Sequence, residues 1–445
     1  MQLLTNFQQI WFSSAPDKQS KWWMLSLYGT IALLIYALCK AFAPPLAKVA
    51  EPIMLLCGFV LFFRNVSLRQ SIWIRLLMAC LIIQLISWSS AMLTHAEWSS
   101  SVPTLDRLGK LFFFMPIAVL MAGKRQNVLF VWFLFGLGLI LAVLTNAGGV
   151  SQWQLALSGG RADFGMQNAQ HAAMYFGVLL LMLIPLVKSW LYPFGSIVIW
   201  RTVIWVFAVI FSVIMLYVTQ TRAVLIGLIL AFTAMSLTLF ILKLKQGLSL
   251  KRKILAFASI LAISFILIIG FGQTITKRMQ PEQQTTQLIM QGKLQAVPFS
   301  SIGIRIQTWL VAIERIKERP IIGWGDRARS VVIQKSNTLP QDIKQQFGHL
   351  HNYFIEMQLS YGLFGSLFFI IFLISLIVVV YNAWSDKQIS NDSALFGLGF
   401  FVYWLFVNNF ESYFSFSSGI FVFGLIVGGL LTQAWSPYIR EKPHH

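Results

Sequence analysis

Twelve hydrophobic runs of membrane-spanning length divide this 445-residue chain, and no other feature restricts its folding as much. They lie near residues 22–43, 45–63, 72–93, 108–122, 126–145 and 171–187, then 197–218, 223–242, 253–271, 353–381, 393–410 and 418–434. A backbone in hydrocarbon must satisfy its own hydrogen bonds, so runs of this kind predict an all-α polytopic membrane protein. Charged residues make up only 11% of the chain, against about 25% in soluble domains, which removes a soluble reading. The polar, mixed residues 1–21 predict no cleavable signal, and Trp22–Ala43 reads as the first anchor. The run 353–381 is too long for one perpendicular helix, so its first two turns, with Glu356, are expected at or above the interface. The chain then divides into spans one to nine (1–271), a long partly helical loop (272–352), and spans ten to twelve with a short tail (353–445). All three belong to one integral membrane domain.

The formal charge of +19 would suggest nucleic acid in a soluble protein. Here the basic residues sit in short loops between spans, where anionic headgroups and the positive-inside rule account for them, and no nucleic-acid partner is expected. With the N-terminus inside, sixteen Lys and Arg fall in cytoplasmic loops, including the Lys243–Lys253 cluster. Only six fall in the short loops opposite: Lys40, Lys48, Arg107, Lys110, Arg161 and Arg222. Both termini are therefore expected in the cytoplasm and the 272–352 loop outside, in the periplasm of a bacterium. Cys39, Cys57 and Cys80 all lie in or beside apolar runs, so no disulfide framework is implied.

Two polar regions interrupt the outer side. The first, Asn146–Gln170, carries Arg161, Asp163 and Asn168, with His171 adjoining. The second is Gly272–Asn352, whose Gln- and Thr-rich start, through Gln291, is expected to be mobile. From Ile304 onward, Trp309, Ala312, Ile313 and Ile316 recur at helical spacing. Arg319-Pro320 and Gly323-Trp324-Gly325 should stop that helix.

Few groups there can carry chemistry. The sequence holds no Walker-type phosphate loop, no Cys-x-x-Cys and no His-Glu-x-x-His, and the outer acidic residues are scattered. Neither a metal nor a cofactor is expected. Arginine is what the outer side supplies. Arg222 follows Thr219-Gln220-Thr221 at the mouth of a span, where a charge costs ~2.5–3.5 kcal/mol, and reads either as a snorkelling side chain or as an anion site. Arg305 opens the amphipathic helix, where a cation is poor compensation for the helix dipole, so a separate anion or plain solvation would rationalise it. Arg161 stands two residues from Asp163 and can pair with it locally or serve an anion.

The segment Gly348-His349-Leu350-His351-Asn352 places two imidazoles at the lip of the tenth span. His351 is the better base candidate, because a neutral imidazole takes a proton near pH 7. His349 is either a second base or a residue that orients the loop. Glu356 and Glu411 are rare outer carboxylates that can hold an arginine or histidine in place.

These residues also form a pattern. His351-Asn352 is followed after nine residues by Gly362 and then Gly365; Thr221-Arg222-Ala223 precedes a span; Arg305 and Trp309 lead to Pro320 and Gly323-Trp324-Gly325. In that order, with twelve spans and a long loop between the ninth and tenth, the chain resembles the bacterial O-antigen ligases of the ligase/polymerase superfamily. The resemblance implies a metal-independent, inverting glycosyltransferase at the inner membrane. Its donor would be a glycan on undecaprenyl pyrophosphate and its acceptor a sugar hydroxyl of the lipid A core. It carries over His351 as catalytic, Arg222 and Arg305 as pyrophosphate-binding, and Arg161 less regularly; His349, Asn352 and Glu411 would support them. O-antigen polymerase, protein O-oligosaccharyltransferase and transporter of lipid-linked glycan stay open as alternatives.

Overall fold

The computed structural model describes residues 22–145, 149–191, 198–245, 258 and 282–440. Every regular element among them is helical. Eight of the expected runs are helices long and apolar enough to cross a membrane, from Trp23–Phe42 to Ser417–Ala434. Ala169–Leu183 and Asn391–Val407 are shorter apolar helices. The run 108–122 departs from expectation. Instead of one span it comprises Asp106–Gly109, a tight turn at Lys110–Phe113, and the seven-residue helix Phe114–Leu120. The expected ninth span, 253–271, lies outside the described residues apart from Ala258.

The helix ends gather into two groups. At one end, Asp392 accepts from Arg125 (2.5 Å) and Ser189, and Gly123 N–H donates to Thr432 (2.8 Å). At the other, Arg161 meets Thr219 and Thr221, Ser100 N–H donates to Asp326, and Tyr413 donates to the Gln170 carbonyl. Glu282, the first described residue of the long loop, stands at this second end beside Arg222. The polar regions picked out in the sequence therefore converge on one end of the bundle.

The axis of the bundle is its last helix. In Ser417–Ala434, 94% of the residues are buried, against 28% in the most apolar stretch of Val66–Thr94. Lipid tails attract an apolar side chain about as well as another helix does, so close approach of backbones decides which helix lies inside. Gly429 permits that approach: a Cβ there would sit 2.6 Å from the Trp132 ring.

Tyr353–Ser385 is a single 33-residue element, broken at Gly362 (φ 60°, ψ −155°). This is the left-handed side of backbone space that glycine enters without strain. A Cβ would also meet the Ile321 carbonyl oxygen at 2.3 Å. The break frees carbonyls of the preceding turn, and the loop fills them: Trp324 N–H donates to Leu359 and Gly325 N–H to Ser360. In return, Leu363 N–H donates to Pro320. Gly323-Trp324-Gly325 thus does more than stop a helix; it splices the loop into the kink.

Of the stretch expected to be mobile, residues 272–281 lie outside the described residues. Gln283–Met290 is helical, and the amphipathic helix begins at Ser301, three residues before Ile304. Ser300 caps it, accepting from Gly303 N–H (3.2 Å). The loop has its own small core, in which Trp98, Ala312, Trp324, Val332 and Leu350 meet.

Candidate active site at the converged end

The local sequence His-Leu-His turns its middle residue inward and its two imidazoles the other way. Leu350 is fully buried. Its carbonyl accepts from the Trp309 indole (2.7 Å) and its N–H donates to Glu356 (2.9 Å), so the segment is held on both edges. His351 then adopts φ +53°, uncommon for a residue with a side chain. That conformation lets Asn352 turn the chain into the next helix, where it accepts from Phe354 and Ile355 N–H at 3.1 and 3.2 Å. Asn352 is a buried helix cap whose side-chain oxygen takes both bonds.

Sixty residues further on, Glu411 lies between the two imidazoles. His349 Nε2 is 2.9 Å from Oε1 and His351 Nδ1 is 2.9 Å from Oε2, with the ring centroids 4.0 Å apart. Burial presses the Glu411 carboxyl upward, but the two imidazole hydrogen bonds outweigh it and hold the group well below the usual carboxylate range. An ionised carboxylate can only accept. His351 therefore carries its proton on Nδ1 and presents the lone pair on Nε2. Burial lowers the His351 pKa and Glu411 partly restores it, while His349 and Arg305 push it down further, so the ring stays neutral near pH 7.

Gln170 links this trio to the arginines. With its amide turned to suit both neighbours, it donates to Glu411 Oε2 (3.2 Å) and accepts from Arg305 Nη2 (3.3 Å). Arg305 Nε is buried without a partner. Burial works against the Arg305 charge, Glu411 and Glu282 support it, and Arg222 adds like-charge repulsion. Arg222 Nη2 lies 3.9 Å from Glu282, whose carboxylate also accepts from Ile302 N–H (3.2 Å) at the start of the same helix. The anion that Arg305's position called for is thus supplied in part by the chain itself. Arg161 reaches away from Asp163, donating to the Thr219 carbonyl (3.1 Å) and to Thr221 (3.2 Å), directly before Arg222. Asp163 instead accepts from Gly165 N–H.

Sequence reasoning named most of these groups but missed Gln170 and Glu282. Gln170 sat at the edge of a Gly- and Gln-rich stretch with nothing to distinguish it from its neighbours. Glu282 did carry a signal, as a lone carboxylate in a Gln-rich run. Glu356 holds an arginine, as the sequence allowed: Arg329 Nη1 lies 3.6 Å away.

His349, His351 and Glu411 also bring three ligand atoms within 4.8 Å of one another, the composition of a His–His–carboxylate metal site. As they stand, both imidazoles hydrogen-bond the carboxylate, which occupies the space between them.

Residues 207–370 match the family model described as O-antigen ligase. The match contains Arg222, Arg305, His349, His351 and Asn352, and ends before Glu411. No curated protein matches the chain.

Proposed function

We propose, from the match of residues 207–370 to the O-antigen ligase family model, that the chain moves a glycan from a lipid pyrophosphate to a sugar hydroxyl. In this reading the donor is undecaprenyl-pyrophosphate-linked glycan and the acceptor the lipid A core. The site faces the periplasm, as the excess of basic residues at the opposite end suggests. The observation that carries the reading is the Glu411 carboxylate shared by His349 and His351, joined through Gln170 to Arg305.

The chemistry follows from that arrangement. Arg305 and Arg222, with Arg161 beside them, bind the pyrophosphate, since planar guanidiniums suit paired phosphate oxygens. The acceptor oxygen attacks the anomeric carbon as the carbon–oxygen bond to phosphate breaks, and the bonding pair leaves with the pyrophosphate. Arginines fixed at that oxygen stabilise the charge that grows there. His351 Nε2 takes the hydroxyl proton, and Glu411 stabilises the imidazolium that forms. A single displacement inverts the anomeric centre.

The test is acceptor dependence in liposomes holding the purified protein and lipid-linked donor. Donor should be consumed only when lipid A core is added. Elongation of the donor without acceptor would mean a polymerase, and movement of intact donor a transporter. Sidedness is tested with single cysteines at Gln284 and Asn337, in a chain lacking the native three. Impermeant maleimide should label both on intact spheroplasts, and labelling only after lysis would overturn the orientation. The grouping of His349, His351 and Glu411 favours one second reading, a bound divalent ion. Elemental analysis of the purified protein and transfer after chelation distinguish the two.

A further inference from the structure

A second cleft adjoins the histidines and takes no part in the chemistry above. It is open to solvent, and the roughly 560 Å³ of space in it and before its mouth is partly bulk solvent. Arg107, Lys110 and Arg329 line it, with Glu356 the one lining carboxylate. Glu356 is already engaged by Leu350 N–H, Ser412 and Arg329, and Lys110 is paired with Asp106. Arg107 makes no hydrogen bond or ion pair among the described residues, although it is half-buried. Three cations thus line the cleft, and of these Arg107 meets its nearest carboxylate influence, Asp326, only through space.

Two tyrosines stand beside these cations. Tyr353 and Tyr361 both line the cleft, each only 4% exposed, and both hydroxyls are buried without a partner. A buried hydroxyl left unbonded costs about 1–3 kcal/mol, and a ligand oxygen that displaced the lining side chains slightly would offer both a partner. Phe416 forms the wall shared with the reaction site: it lines the cleft and packs edge-on against His349 at 5.2 Å. None of Arg161, Arg222 and Arg305 lines the cleft, so it is distinct from the donor's phosphate site.

We propose that this cleft is the acceptor's subsite, and that it takes a phosphate-bearing sugar of the acceptor glycolipid. Arg107 and Arg329 hold the phosphate and the tyrosine hydroxyls donate to its oxygens or to the sugar's. The hydroxyl to be glycosylated then reaches past Phe416 to His351. This inference rests on the glycosyl-transfer reading, and it adds the chemical class of the acceptor and where its charge is held.

The experiment compares wild type, Arg107→Gln and Tyr361→Phe in phosphatidylcholine vesicles, with lipid A core that is phosphorylated or enzymatically dephosphorylated. With phosphorylated acceptor, Arg107→Gln should raise the acceptor KM roughly tenfold to a hundredfold, the loss of one charge-assisted contact. The donor KM should not move, and with dephosphorylated acceptor wild type and Arg107→Gln should coincide. Tyr361→Phe should give a smaller rise in acceptor KM with either acceptor. Equal KM values for wild type and Arg107→Gln on the phosphorylated acceptor would overturn the proposal. A second arm adds phosphatidylglycerol. If the Arg107→Gln defect appears only there and ignores acceptor phosphate, the cleft holds a lipid headgroup and the proposal is again overturned. Direct binding of phosphorylated core to both proteins is measured alongside. Absence of transfer by wild type would then fail the functional reading, while a binding difference or its lack would still decide the cleft.

Discussion

Glu411 and Glu356 are both buried carboxylates, 1% and 4% exposed, and both serve the Gly348–Asn352 segment, yet their partners differ in kind. Glu411 is held by two imidazoles, rings that can both give and accept a hydrogen-bonding proton. Glu356 is held by a backbone N–H, the hydroxyls of Ser412 and Ser415, and Arg329, none of which changes charge near neutral pH. In the proposed reaction one carboxylate tunes the base, and the other fixes the loop that presents it. Burial alone does not separate these tasks; the partners do.

The largest effect should come from the imidazole side. Glu411→Gln and His351→Ala should each cost ~10²–10⁴ in transfer rate, the usual contribution of a general base, with melting temperature nearly unchanged. His349→Ala should be milder. A His351→Ala protein keeping a third of wild-type turnover, or one outperforming His349→Ala, would give the role to the wrong histidine.

Arg222→Lys and Arg305→Lys come next. Each keeps a charge but loses the planar fork, so turnover should fall roughly tenfold to a hundredfold without loss of folding. Loss of activity together with melting temperature would place these arginines on the structural side of the comparison, with Glu356.

Glu356→Ala should show the opposite signature from Glu411→Gln. It strands the Leu350 N–H and the Ser412 hydroxyl, each at about 1–3 kcal/mol, and leaves Arg329 without its partner. The melting temperature should drop by several degrees, with activity following the folded fraction. A stable but inactive Glu356→Ala protein would break the distinction.

The smallest effect is a shift along the pH axis. Burial lowers the His351 pKa below its ordinary value of 6.5, so the acid limb of the pH–rate profile should lie below that, lower than an unperturbed imidazole would place it. Because Glu411 raises that pKa, His351 in Glu411→Gln should titrate at still lower pH. Arg305→Gln, removing a positive neighbour, should move it up. Histidine NMR titration reads both directions without needing activity, and equal titration in all three proteins would remove the electrostatic account.

How much was legible in the sequence follows from range. The base candidates lie in one pentapeptide and the amphipathic helix is a local period, so both could be read along the chain, although the helix starts at Ser301 rather than Ile304 and the capping role of Asn352 was not read. The glycines at 362 and 365 were legible as a pattern but not as a device. Their use at Gly362 depends on Pro320 and Ile321, some forty residues earlier, whose backbone docks into the kink.

The sequence by itself determined that the chain is helical and membrane-spanning, because the absence of water forces every backbone group to bond within its own segment. It also determined which scarce polar residues could carry chemistry. Tertiary structure alone decided which helix lies at the centre, since hydropathy measures transfer out of water and is indifferent to whether lipid or protein receives the side chain. It alone decided that Glu411, rather than Glu356, stands between the histidines. Both are outer carboxylates in sequence, and only the packing of Ser417–Ala434 against Tyr353–Ser385 sets the turn carrying Glu411 against His349 and His351.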